Sequence, residues 1–142
     1  MIIGIPKEVF PGENRVATVP DVVPKLIKAG FEILIEKDAG LNAGFTDEKY
    51  TSAGAKIIDN VTDLYSSSDI IFKVQRPVEH PVLKRQETDL MKEGTLLITF
   101  IYPLNYPELA KQCAAKGIDV ISMDMIPRTT LAQKMDALSS QA

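Results

Sequence analysis

The densest set of chemistry-bearing side chains lies near the carboxyl end of the chain, in residues 127–140. It combines the guanidinium of Arg128, the carboxamide of Gln133, the carboxylate of Asp136 and the hydroxyl of Ser139. Gln and Ser side chains both donate and accept hydrogen bonds, and Arg adds a planar cationic donor, so this set could read a carboxamide. The residues alone fit equally well the exposed polar face of an amphipathic helix.

Arg15 is a second candidate, because it lies in the loop 6–19 beyond the first predicted strand. Open α/β sheets place ligands at such strand ends, and the guanidinium fork suits a carboxylate. The same loop carries other charged residues, among them Lys7, Glu8 and Glu13. The favoured interpretation from the residues alone is therefore a solvated loop face.

Lys73 interrupts an apolar run near the carboxyl end of a predicted buried strand. An unpaired ammonium would be costly there, so Lys73 needs a partner, a ligand or an exit to solvent. His80 follows Glu79 and precedes Pro81 in a polar loop, with no second residue of a catalytic triad in view. It is interpreted as a surface residue.

Composition excludes several classes of function. The 142 residues are 45% hydrophobic, which is sufficient for one domain, and the net charge of -3 does not favour nucleic acid as a partner. One cysteine and one histidine cannot build a zinc site, so no metal is expected. No apolar stretch approaches the roughly 20 residues that span a bilayer, and no secretory signal follows Met1. The predicted location is cytoplasmic.

Short β-branched runs that alternate with helix-like segments must position these side chains. Strands are predicted at 2–5, 31–35, 69–74, 95–101 and 118–123. Helices are predicted at 20–30, 46–53, 60–66, 105–116 and within 82–91. This alternation predicts a three-layer α/β fold of the Rossmann or flavodoxin-like kind, with a mostly parallel sheet of five or slightly more strands and helices on both faces.

Two features predict that the chain is a fragment. The Gly-x-Gly-x-x-Gly motif of dinucleotide-binding domains is absent, and residues 39–44, with two glycines, are interpreted as a turn. An apolar stripe in residues 129–142 predicts a helix that meets no stop signal before Ala142.

Three segments resemble the alanine dehydrogenase/pyridine nucleotide transhydrogenase family, and the resemblance covers the whole chain. They are 3–8 (IGIPKE), 13–17 (ENRVA) and 132–140 (AQKMDALSS), the last together with Arg128. The ending is similar to one branch of that family, the NAD(H)-binding alpha subunits of proton-translocating NAD(P) transhydrogenases.

This resemblance implies that 1–128 are the first lobe of a two-lobe NAD(H)-binding component and that 129–142 begin the inter-lobe helix. The glycine-rich NAD lobe would be absent here. The parent would transfer hydride between NAD(H) and NADP(H), coupled to proton translocation, while the piece alone would be inactive and would hold no cofactor tightly. The implied partners are the missing lobe, NADP(H)-binding and membrane components and a second copy in a homodimer, at the cytoplasmic side of the inner membrane.

The resemblance also implies roles for the carboxyl-terminal set. Arg128, Asp136 and Ser139 would bind the cofactor, with Arg128 and Ser139 near the carboxamide or ribose. Gln133 and Asp136 would act at the site of hydride transfer, Gln133 reaching toward the partner component and Asp136 serving as an orienting acceptor. The sequence departs from the motif at Leu131, where Arg is more frequent, so a charge expected near the cofactor is missing.

Two alternatives stay open. In the alanine dehydrogenase branch, or a related amino-acid dehydrogenase, Arg15 and Lys73 match an arginine and a lysine that bind pyruvate. Tyr102 stands where that branch would place a catalytic histidine, which argues against this reading. The other alternative is a stand-alone α/β interaction module.

Overall fold

The computed structural model describes residues 1–99 and 107–122. Within these ranges the chain forms one parallel sheet of six strands, in the order β3-β2-β1-β4-β5-β6. The strands are β1 (Ile2–Ile5), β2 (Glu32–Glu36), β3 (Lys56–Ile58), β4 (Ile70–Lys73), β5 (Leu96–Thr99) and β6 (Asp119–Ser122). The predicted α/β class and parallel sheet are therefore confirmed.

Helices connect successive strands. They are α1 (Val23–Lys28), α2 (Asp47–Ala53), α3 (Val61–Ser67), α4 (Glu87–Leu90) and α5 (Pro107–Ala115), with short 3-10 helices at Pro20–Val22 and Leu41–Ala43. The helical segment predicted at 20–30 ends at Gly30, whose φ of 104° is the left-handed conformation that glycine often adopts after a helix. The turn predicted within 39–44 is confirmed by the second 3-10 helix.

The two faces of the sheet bury separate apolar layers, because side chains alternate along each strand. Ile3, Ile33 and Ile98 belong to one layer, which also contains Val23 of α1 and Tyr50 of α2. Residues of α3, α4 and α5 pack with the opposite face; those that belong to its buried apolar layer are Leu64, Tyr65, Leu90 and Cys113. Cys113 of α5 is a buried core residue.

The junction between β1 and β4 is the shortest in the sheet. Only Ile3↔Ile70 and Gly4↔Ile71 are in register there, whereas β4 and β5 share four pairs. The Ile2 amide also donates to Asp69 Oδ2 at 2.9 Å. A Cβ at Gly4 would fall against Ser68, which directly follows α3, so glycine allows the close approach of the end of the helix and the strand.

One strand of the sheet was missed in the sequence analysis. β3 was not predicted, because it has only three residues and begins with the exposed Lys56 at the sheet edge. The helix predicted within 82–91 is confirmed and covers Glu87–Leu90, because the preceding residues form a turn in which Lys84 has a φ of 56°. The predicted helix at 129–142 lies outside the described residues.

Candidate functional site

The strand order reverses between β1 and β4, which is the place where open α/β sheets form a crevice for ligands. Four buried side chains, which we call the Lys73 cluster, meet at the carboxyl ends of these strands. Its members are Glu8, Tyr65, Lys73 and Glu87. Glu8 follows β1 in the loop 6–19, Tyr65 lies on α3, Lys73 ends β4 and Glu87 begins α4.

Lys73 is fully buried and lies between two carboxylates. Its ammonium is 3.2 Å from Glu8 Oε1 and 3.1 Å from Glu87 Oε2. Burial is the largest influence on this group and lowers its pKa, but the two carboxylates together raise the pKa above the ordinary lysine value. The prediction that Lys73 requires a partner is confirmed, and the partners are protein carboxylates.

Glu8 also joins the ends of β1 and β4 through backbone contacts. Its Oε2 accepts the Val74 amide at 3.0 Å, and its Oε1 accepts the Gln75 amide at 3.1 Å. The interpretation of Glu8 as part of a solvated loop face was therefore wrong. Its contacts lie 65 to 67 residues away in sequence, which no local pattern could show.

Glu87 is held in place from two further directions. The Tyr65 hydroxyl donates to its Oε2 at 3.0 Å, and the Val78 amide donates to its Oε1 at 2.9 Å. Burial, followed by the nearby charge of Glu87, raises the pKa of Tyr65 well above the ordinary tyrosine value. Tyr65 therefore stays protonated and remains a hydrogen-bond donor.

Arg15 lies in an outer layer of the site, with its side chain 63% exposed. Its guanidinium donates twice to Glu13, at 2.9 and 2.7 Å, and the Gln75 side-chain amide donates to the same carboxylate at 2.8 Å. The hydrogen bond from Arg15 is the largest influence and helps lower the pKa of Glu13 to about 2. The solvated interpretation is confirmed for the Arg15 side chain, while Glu13 is covered by its partners.

Glu36, at the end of β2, is a further carboxylate that accepts a backbone amide at this edge of the sheet. Its Oε1 accepts the Lys7 amide at 2.9 Å, and burial raises its pKa. Glu8, Glu13, Glu36 and Glu87 thus all accept backbone amides of the loops at this edge. The loops at this edge of the sheet are therefore fixed by carboxylates of the chain itself.

His80 corrects another interpretation, since it is buried instead of lying on the surface. Its Nδ1 accepts the amides of Val82 and Leu83, each at 3.3 Å. Val82 in contrast is 79% exposed at the tip of this turn. His80 therefore serves as an internal acceptor that shapes the turn before α4.

The Lys73 cluster holds the loops and strand ends that its carboxylates contact. With both glutamates ionised its net charge is minus one, and the described contacts commit Lys73 to protein carboxylates.

In the described part of the chain no group of three or more His, Cys, Asp or Glu side chains could hold a metal ion. The described helices include none of the length and apolarity required to cross a membrane.

A separate open groove of about 1060 Å³ lies between α2 and the helical segment formed by the 3-10 helix at Pro20–Val22 and α1. Its charged lining comprises Asp21, Lys25, Glu48 and Lys49, two residues of each sign. None of the members of the Lys73 cluster lines it. The groove therefore offers no charge preference that would select a ligand.

The structure brings together only part of the predicted site. Arg15 and Lys73 both lie at the carboxyl edge, but each is paired with different glutamates. The other candidates lie outside the described residues; they are Arg128, Gln133, Asp136 and Ser139, together with Tyr102 and Leu131. Glu87 and Tyr65 were missed, because each is an ordinary helix residue in sequence and only its partners across the fold reveal its role.

Comparison with known proteins gives a consistent result. The family model described as alanine dehydrogenase/PNT, N-terminal domain, matches residues 4–142. The NAD(P) transhydrogenase subunit alpha of Cereibacter sphaeroides is 44% identical over 142 residues, which are 100% of this chain and 26% of that protein. The alanine dehydrogenase of Methanococcus maripaludis is 36% identical over 126 residues, 89% of this chain and 32% of that protein.

A solved structure agrees with the sequence comparison. The transhydrogenase from Sinorhizobium meliloti superimposes with a TM-score of 0.80 at 35% identity, covering 99% of this chain and 40% of that one. The chain thus spans well under half the length of these relatives.

Proposed function

The chain belongs to the N-terminal domain family of alanine dehydrogenases and pyridine nucleotide transhydrogenases, and from this membership we propose that it forms the first lobe of an NAD(P) transhydrogenase alpha subunit. The observation that carries the proposal is the extent of similarity. The match to the Cereibacter sphaeroides alpha subunit includes every residue of this chain at 44% identity. The match to the Methanococcus maripaludis alanine dehydrogenase has 36% identity and covers 89% of this chain.

The arrangement of the two edge cations supports this choice over an amino-acid dehydrogenase. A pyruvate site would require Lys73 and Arg15 to present free donors to one small carboxylate. Lys73 is instead enclosed between Glu8 and Glu87, and Arg15 already donates two hydrogen bonds to Glu13.

The described residues do not by themselves fit a dinucleotide. No glycine-rich turn follows β1 among them, and the Val74 and Gln75 amides at the crevice already bind Glu8. In this proposal NAD(H) is therefore held by Arg128, Asp136 and Ser139 together with a second, glycine-rich lobe. The nicotinamide supplies the hydride, and the protein contributes orientation and exclusion of water.

The proposal extends to the assembly. Residues 1–128 are the lobe, and residues 129–142 begin the helix that leads to the second lobe. An NADP(H)-binding component and a membrane component complete the enzyme, the lobe faces the cytoplasm, and two alpha subunits pair as a homodimer. The 142-residue chain alone is inactive.

A domain replacement tests the proposal. The segment of the Cereibacter sphaeroides alpha subunit that matches this chain is exchanged for it, and hydride transfer from NADH to an NADP analogue is assayed with the remaining components. We expect transfer to be retained. Gln133→Ala and Asp136→Asn are expected to lower kcat, and Arg128→Ala to raise the KM for NADH. The matched control is Lys111→Ala, which removes a side chain that is 76% exposed on α5.

A second domain replacement, in an alanine dehydrogenase, can contradict the proposal. The chain is placed in the Methanococcus maripaludis alanine dehydrogenase, and NAD-dependent oxidation of alanine is measured. A folded but inactive transhydrogenase chimera, together with an active alanine dehydrogenase chimera, would refute the proposal in favour of the amino-acid dehydrogenase reading.

A further inference from the structure

We propose that the turn 79–86 is a pH-sensitive closure, which the neutral imidazole of His80 holds shut and which opens when that ring gains a proton. The turn lies between β4 and α4. The inference rests on the geometry of the turn and does not depend on the proposed function.

The imidazole closes the turn as a hydrogen-bond acceptor. Its Nδ1 accepts the amides of Val82 and Leu83, each at 3.3 Å, and the residue is 7% exposed. A neutral ring that accepts at Nδ1 carries its single proton on Nε2. Among the described residues no other acceptor is found for either amide, so both depend on this one nitrogen.

The backbone of the turn also folds back on His80. The His80 amide donates to the Arg85 carbonyl at 2.7 Å, and the His80 carbonyl accepts the Lys84 amide at 2.9 Å. An antiparallel bridge between Glu79 and Gln86 closes the turn below them. Lys84 has a φ of 56°, a left-handed conformation that lysine seldom adopts. The closed form therefore depends on its hydrogen bonds to outweigh this strain.

Protonation of the ring removes the acceptor. An imidazolium carries a hydrogen on both ring nitrogens, so Nδ1 would face the amide hydrogens of Val82 and Leu83 with a hydrogen of its own. The turn then loses two hydrogen bonds and gains a repulsive contact, which favours the open form. Histidine ordinarily changes charge between about pH 5 and 8, and the chain contains one histidine. An opening that follows the titration of an imidazole can therefore be assigned to His80.

The charged groups that the described contacts bring to this turn come from the turn itself and from α4. Glu79, Lys84 and Arg85 belong to the turn. Glu87 of α4 accepts a backbone amide at its base, and the Arg85 guanidinium donates to the Asp89 carbonyl at 3.3 Å. Within residues 1–99 and 107–122 no carboxylate forms an ion pair with the imidazole. The proton that the ring gains is therefore not neutralised by an ion pair, and the loss of the Nδ1 acceptor decides the outcome.

The test is amide hydrogen exchange in the 142-residue chain, measured by NMR between about pH 5 and 8 together with the nitrogen-15 signals of the imidazole. Each exchange rate is compared with that of an unfolded chain at the same pH, which gives a protection factor. We expect the protection factors of Val82 and Leu83 to fall about tenfold as the ring is protonated, with the midpoint of the imidazole signals. The amides of Thr62 and Asp63 are the internal control, since their acceptor, Asn60, does not titrate.

His80→Asn is the matched variant, because the asparagine Oδ1 can accept the same two amides and gains no proton in this range. It should keep the protection of Val82 and Leu83 at every pH. His80→Ala lacks the acceptor and should show low protection of both amides throughout. If His80→Ala does not fold, the comparison of wild type with His80→Asn decides.

The proposal is overturned if Val82 and Leu83 keep their protection in wild type while the imidazole is protonated, or if the ring stays neutral across the whole range. An equal fall at Thr62 and Asp63 overturns it as well, since the opening would then not be confined to the turn. So does a His80→Asn variant with the pH dependence of wild type, or a neutral ring whose nitrogen-15 signals place the proton on Nδ1.

Discussion

The Tyr65 hydroxyl lies 3.0 Å from Glu87 Oε2, and both side chains are fully buried. Tyr50 makes a comparable contact on the other face of the sheet, where its hydroxyl donates to the Thr18 carbonyl at 2.8 Å. The two tyrosines differ in their acceptor, which is a charged carboxylate for Tyr65 and a neutral carbonyl for Tyr50. This difference allows the energetic contribution of the charged acceptor to be measured.

Tyr65→Phe is expected to lower the free energy of unfolding by about 1.5–3 kcal/mol, because it removes a hydrogen bond to a charged group and leaves the carboxylate under-satisfied. Tyr50→Phe, the matched control, is expected to cost about 0.5–1.5 kcal/mol. Urea unfolding followed by circular dichroism measures both. Equal losses in the two variants would show that the Glu87 charge adds nothing.

Lys73→Met is expected to destabilise the chain by about 3–5 kcal/mol, because it leaves two buried carboxylates without their cation. Lys92→Met is the control, since Lys92 pairs with Asp69 at 2.9 Å with side chains that are 42% and 36% exposed. That pair is expected to contribute at most about 1 kcal/mol. Urea unfolding midpoints compare the variants, and a loss for Lys73→Met no larger than that for Lys92→Met would contradict the description of the cluster.

Acid stability should depend on Glu13. Its pKa is lowered from 4.5 to about 2 in the folded chain, so its contribution is complete above pH 4.5 and is lost as the pH falls toward 2. Glu13→Gln lacks this contribution, so its stability deficit relative to wild type should shrink across that window. Glu108→Gln removes an exposed carboxylate that faces Lys111 at 3.9 Å and should follow the wild type. The free energy of unfolding of each variant and of wild type is measured at a series of pH values. A stability deficit of Glu13→Gln that does not change with pH would contradict the lowered pKa of Glu13.

The start of α3 provides a local test. Asn60 Oδ1 accepts the amides of Thr62 and Asp63 at 2.9 and 3.3 Å, so Asn60→Ala is expected to cost about 1 kcal/mol. Thr46 occupies the corresponding position before α2 but makes no side-chain capping bond. Thr46→Ala should therefore cost less. Thermal or urea unfolding distinguishes the two, and equal losses would argue against the Asn60 cap.

The sequence was sufficient to predict the layers of the fold, because apolar periodicity and glycine caps are local signals. It also predicted that Lys73 needs a partner, since burial of an ammonium requires one. It could not identify the partners, because Glu8 and Glu87 lie 65 and 14 residues away and look like ordinary charged residues.

The errors at Glu8 and His80 have the same origin. Glu8 and His80 were assigned to the surface because their neighbours in sequence are polar. Both side chains are instead buried, and both accept hydrogen bonds from backbone amides. Such contacts follow from the path of the loops around the sheet edge. That path depends on tertiary packing, which periodicity does not encode.

The short junction between β1 and β4 has a consequence for how a chain emerging from the ribosome acquires its fold. β1 can pair with β2 early, but its other edge waits for β4, since Ile3 and Ile70 are far apart in sequence. Until then the nascent sheet exposes an unpaired, isoleucine-rich edge of the kind that invites aggregation. The central seam of the sheet is therefore protected from pairing with a second newly synthesised copy only when both halves have joined.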